Sequence, residues 1–213
     1  MIRRTARRAL LFGAGILHSA ACASRPHASS GALSTAGTAG DVAQLSGTYA
    51  GSWQTYALDR SGRIAAQAAW VDTMFARDPV EEPGRTYVIT TDNMTFSGGR
   101  IPPMRVTGRE GYLRNPDGSW GEYFVESMGQ TTQMRRIATD TWVAVSSATP
   151  RELVALGDDA SARHVLVKVV STENGVETHR ISRVTTVHWR DASGALRAAQ
   201  YVSLQGEHRR IAR

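Results

Sequence analysis

Residues 164–208, HVLVKVVSTENGVETHRISRVTTVHWRDASGALRAAQYVSLQGEH, constrain the fold more than any other part of this chain. Two β-rich runs flank Asn174-Gly175, the dipeptide best suited to a two-residue hairpin because both turn positions take positive φ. Asp191-Ala-Ser-Gly194 makes the next reversal, and Asn115-Pro-Asp-Gly118 makes an earlier one. The segment therefore predicts three long antiparallel strands.

The same alternation extends back to Leu45. Further strands are expected at Thr48–Leu58, Ala66–Arg77, Arg85–Thr91, Met104–Arg114, Trp120–Glu126, Thr131–Ile137 and Thr141–Ser147. One helical signal stands among them, Pro150 to Leu156 followed by Gly157, long enough only for a connector. There is no βαβ rhythm and no internal repeat. About ten antiparallel strands in roughly 160 residues fit an all-β meander that closes into a barrel, because closure removes exposed edges. A β-sandwich is the alternative.

The opening strand carries a resemblance. Gly51-Ser-Trp53, within LSGTYAGSWQTYALD, is similar to the Gly-x-Trp opening of the lipocalin-like (calycin-type) barrels. MTFSGGRIPPMRVTGREGYLRNPDGS and HVLVKVVSTENGVETHRISRVTT resemble a group of exported bacterial proteins of unassigned function with such a barrel domain. The resemblance covers nearly all of residues 45–206 and implies a closed barrel without naming a ligand. It also implies a structural part for Trp53 as an end plug, with a late-strand arginine such as Arg183 packed across it.

The front of the chain reads as an address. MIRRTARRALLFGAGILHSAACA (residues 1–23) joins a basic start to a short apolar run and small residues, the layout of an export signal. Four of the six net positive charges lie in the first 21 residues, leaving +2 for the rest and no basic stripe to suggest nucleic acid. Ser19-Ala-Ala-Cys22 resembles a lipobox, which makes Cys22 the expected lipidation site and the domain a membrane-anchored periplasmic lipoprotein. Ordinary cleavage before Ser24, giving a soluble periplasmic protein, is the alternative. Arg7-Arg8-Ala-Leu-Leu11 also resembles a twin-arginine core. Residues 24–44, rich in Ser, Ala and Gly, read as a flexible tether, 45–206 as the barrel domain and 207–213 as a basic tail. Cys22 is the only cysteine, so the domain makes no disulfide of its own.

Period-2 reading supplies candidate interior residues. Val165, Val167 and Val169 share a face opposite His164 and Lys168. Ile181, Val187 and Trp189 share one with His179 and Arg183, and Leu196, Val202 and Leu204 one with Gln200. Met104, Val106 and Tyr112 share one with Glu110, and Tyr49 one with Trp53. Placing the apolar faces inside brings Glu110, His179, Arg183 and Gln200 inside as well, where charges must be paired or wet. Trp53, Glu110, His179, Arg183 and Gln200 are thus the expected ligand-binding set, with Glu110 and Arg183 as a pair.

Nucleophile elbows, zinc-protease helices, phosphate loops and paired-cysteine sites are all missing from the sequence. No metal is expected. No cofactor is expected either, with haem held through His179, or through His164 after it, the one such group kept in view. The leading expectation is an exported envelope protein binding a small, partly apolar ligand. An acid–base isomerase or cyclase using Glu110 and His179 is the enzymatic alternative, and a barrel filled by its own side chains the structural one.

Overall fold

The computed structural model describes residues 39–147, 153 and 155–212. A short helix, α1 (Ala39–Ala43), precedes β1 (Gly47–Leu58), β2 (Ile64–Ala76), β3 (Val80–Glu82), β4 (Arg85–Phe96) and β5 (Met104–Arg114). Then come β6 (Trp120–Ser127), β7 (Gln130–Ala138), β8 (Thr141–Ser147), β9 (Ser161–Glu173), β10 (Val176–Arg190) and β11 (Leu196–Ala212). Consecutive strands pair antiparallel except β2 and β3, β1 pairs with β11, and β2 pairs with β4. The last two pairings close a ten-strand antiparallel barrel and set aside the sandwich. The short β3 stands outside the ring, hairpinned onto β4 from Val80↔Tyr87 to Glu82↔Arg85. The Glu81-Glu82 segment is therefore a small strand, with Glu82 held by Arg85 and Tyr87.

Several boundaries move. Residues 39–43, inside the stretch read as tether, form α1, and Val42 on it is fully buried. Residues 207–212, read as a tail, continue β11 to Ala212 and pair with β1. Of the expected helix at 150–156 only Leu153, Ala155 and Leu156 fall within the described residues, and both leucines are buried. The export signal, Cys22 and most of the tether lie outside the described residues.

Two apolar clusters hold the ends of the barrel. At one, Val42 of α1 packs on Val88, Tyr112, Tyr123, Met134, Trp142 and Ala144. At the other, Leu58, Leu153, Leu156, Val187 and Trp189 pack together. Burying an aliphatic or aromatic side chain of this size stabilises by about 1.5–3 kcal/mol.

The faces of β9 and β11 differ from the period-2 expectation, each for a definable reason. Asn174 and Gly175 both take positive φ, and the turn leaves Glu173 paired with Val176. Odd residues of β10 are then opposite even residues of β9, as in His179↔Val170, Ile181↔Lys168 and Thr185↔His164. With His179 and Thr185 buried, His164 and Lys168 face inward and the three valines face out. On β11 the register slips beside Arg183/Val184, a β-bulge at Ser203. Before the bulge Tyr201 and Ser203 face the interior, while Leu196, Gln200 and Val202 are exposed; after it His208 and Arg210 turn inward.

Candidate functional site

A cavity of about 400 Å³ lies inside the barrel on the side of the Leu58–Trp189 cluster. Its polar wall is a hydrogen-bonded strip running across β9, β10 and β11. His164 Nδ1 lies 2.7 Å from Thr185 Oγ1, Thr185 Oγ1 donates to Ser203 Oγ at 2.6 Å, and Arg183 Nε donates to Ser203 Oγ at 2.9 Å. The bulge at Ser203 makes this strip possible, because it turns that hydroxyl toward both Thr185 and Arg183. Ala57, Ala68, Ile101, Leu153 and Tyr201 supply most of the remaining lining, with Thr55, Tyr56 and Gln67 beside them. Ile101 comes from the loop between β4 and β5, and Leu153 from the connection between β8 and β9. A basic strip facing small apolar side chains suits a molecule with a hydrogen-bond-accepting end and an apolar body.

The middle of the barrel is filled by charge. Glu110 of β5 pairs with Lys168 of β9, and Tyr123 of β6 donates its hydroxyl to the same carboxylate. Lys168 Nζ also donates to Tyr123 Oη at 2.5 Å and sits 4.5 Å from that ring's centroid. Burial by itself would raise the Glu110 carboxyl; the Lys168 ammonium, aided by His179, overrides it and holds the group below its ordinary value. Nearby, His179 Nε2 lies 2.6 Å from Glu177 Oε1, and Arg210 donates to the same oxygen at 2.9 Å and to Tyr49 Oη at 2.6 Å. Burial pushes Glu177 up, but the bonds from His179 and Arg210 outweigh it and bring the group down to about 2. Burial, and Lys168 after it, keeps His179 below its ordinary value.

The expected pair of Glu110 with Arg183 does not form. Lys168 takes the carboxylate, because the two-residue hairpin puts even residues of β9 inside. Gln200 is exposed on the outer face, bonded to Thr186 at 3.3 Å, because it precedes the bulge. Trp53 is inside, midway along β1. It stacks on Trp70 at 6.1 Å between ring centroids, and its indole N–H donates to Asp72 Oδ2 at 2.9 Å. Of the five expected residues only Arg183 lines the cavity; Trp53, Glu110 and His179 belong to the packed polar core.

The residues missed by periodicity are His164, Lys168, Ser203 and His208. The first two were legible, since a two-residue turn at 174–175 forces opposite parity on the two strands it joins. The other two depend on the bulge, which no local pattern announces. The space beside Lys168, His179 and Glu177 is only about 50 Å³, on the scale of one or two waters and too small for an organic substrate. A broader depression of about 640 Å³ lies on the outer surface, lined by residues such as Ser52, Gln54, Val71, Val167 and Val169. Its charged groups Arg180 and Glu207 pair with each other at 3.4 Å.

Fold and site together define a closed ten-strand antiparallel barrel with a charged core and a ligand-sized cavity at one end. No family model, curated protein or solved structure matches the chain in comparison with known proteins.

Proposed function

We propose that this chain is an exported cell-envelope binding protein whose lipocalin-like barrel holds a small, partly apolar ligand. The observation that carries the reading is the internal cavity of about 400 Å³, with Arg183, His164 and Ser203 on one wall and small apolar side chains opposite. A volume of this order suits a small organic ligand, and ten strands enclose more room than the eight of a fully packed small barrel. The ligand turns its acceptor group toward Arg183 and its apolar body toward Ala57, Ala68 and Leu153. The titratable core around Glu110 and His179 supports the cavity wall rather than meeting the ligand, since its groups are bonded to one another. Export and anchoring rest on residues 1–23, with Cys22 as the lipidated residue.

Native mass spectrometry of the purified protein, with titration of an anilinonaphthalene sulfonate dye, tests the binding. The wild type is expected to carry a small molecule or to bind the dye saturably. Ala68→Leu, which fills the cavity, and Arg183→Gln, which removes its basic group, are expected to lose that binding while keeping the β-sheet circular dichroism spectrum. Equal binding by both folded variants excludes the cavity as the site. For the anchor, label from an alkyne fatty acid fed to expressing cells is expected on the wild type and absent from Cys22→Ser.

A further inference from the structure

A second cluster, away from that cavity, joins three strands far apart in the sequence. Gly51 of β1 pairs directly with Asp72 of β2 on one side and with His208 of β11 on the other. A Cβ at Gly51 would overlap both the Asp72 carboxylate and the His208 ring, so glycine opens the gap through which they meet. His208 Nε2 lies 3.0 and 3.1 Å from the two Asp72 oxygens, and the Trp53 indole fixes the carboxylate from behind. Asp92 of β4 completes the group: one donor atom from each of Asp72, Asp92 and His208 lies within 4.8 Å of the others.

Asp92 is the member that the protein's own bonding leaves unexplained. Its Oδ1 is buried and has no hydrogen-bond partner, whereas Asp72 is bonded on both oxygens. An unbonded buried carboxylate oxygen is costly and calls for a compensating group.

We propose that Asp72, Asp92 and His208 form a binding site for a divalent transition-metal ion of the zinc class. One imidazole and two carboxylates are an ordinary zinc donor set, and three protein ligands leave a coordination position open. The imidazole selects against magnesium and calcium, which take all-oxygen sites. Tetrahedral zinc spaces its donors roughly 3.3 Å apart, so a small side-chain rotation of Asp92 completes the triangle that Asp72 and His208 already begin. Trp53 is a positioning residue here, holding Asp72 as outer-shell partners hold metal-ligating carboxylates. The site goes beyond the binding function above and does not depend on it.

Cobalt is the direct probe, because its visible ligand-field absorption reports coordination. Chelator-stripped full-length protein is expected to take up Co²⁺ at a single saturable site, with zinc displacing it and raising the Tm. Asp92→Asn and His208→Gln are each expected to weaken cobalt binding at least about tenfold, and Trp53→Phe about tenfold with the ligands intact. The exposed His188→Gln is expected to leave it unchanged. Should His208→Gln not fold, Asp92→Asn still decides, because it alters a carboxylate oxygen that the fold does not use. A wild type that binds no cobalt, or binding that survives Asp92→Asn at full strength, overturns the site.

Discussion

Lys168 is the only lysine among 25 basic residues, and it stands where an arginine would fit badly. A compact ammonium can reach the Glu110 carboxylate and the Tyr123 hydroxyl while lying against the Tyr123 ring, whereas a guanidinium needs a planar fork of acceptors. Removing one partner strands a buried charge, so Lys168→Met is expected to destabilise by about 3–5 kcal/mol. Lys168→Met with Glu110→Gln is expected to cost clearly less than the two single changes added together, in urea unfolding of all four members of the cycle. Asp92 runs the other way. Its carboxyl is raised from 3.8 to about 6 by burial, so ionisation at neutral pH opposes folding. In metal-free protein Asp92→Asn is expected to be more stable than wild type by roughly 1–3 kcal/mol at pH 7. That gain should fade as pH falls from 6 toward 3.8, where the native carboxyl is already neutral.

At the scale of the strand, two local irregularities decide which side chains the interior receives. The bulge at Ser203 reverses the face of β11, exposing Gln200 and Val202 and bringing His208 and Arg210 inside. Gly51 then lets residues two strands apart touch across β1. Gly206 does the same for the Trp53 ring, which a Cβ there would overlap. Gly51→Ala is expected to destabilise by about 1–3 kcal/mol through this crowding. It should also part Asp72 from His208, seen in the His208 imidazole signals by NMR, whereas Gly175→Ala, with open space around its Cβ, leaves them unmoved.

For the whole molecule, the charged core makes stability depend on pH. His179 is held below its ordinary 6.5, so the unfolded chain binds more protons there, and stability falls as pH drops below 6.5. Glu177, held down to about 2 from 4.5, adds a further loss between pH 4.5 and 2. Asp92 opposes this trend between pH 6 and 3.8, so the decline should steepen in Asp92→Asn. Urea midpoints measured from pH 8 to pH 3 check both the direction and the effect of that variant. All ten barrel strands, from β1 to the β9–β11 array, were legible in the sequence, because alternation and turn residues are local consequences of backbone sterics. The inward placement of Trp53, Glu110, His179 and Arg183 was legible for the same reason. Their partners were not. Lys168 meets Glu110 across three intervening strands, and Asp72, Asp92 and His208 meet only because β1 joins β11 and β2 joins β4. By itself the sequence determined strands, turns and the parity across each tight hairpin, all governed by neighbours along the chain. Closure, the Ser203 bulge, the cavity and the charge pairs were decided by the tertiary structure, because they depend on which distant strands share a wall and on one residue's slip in register.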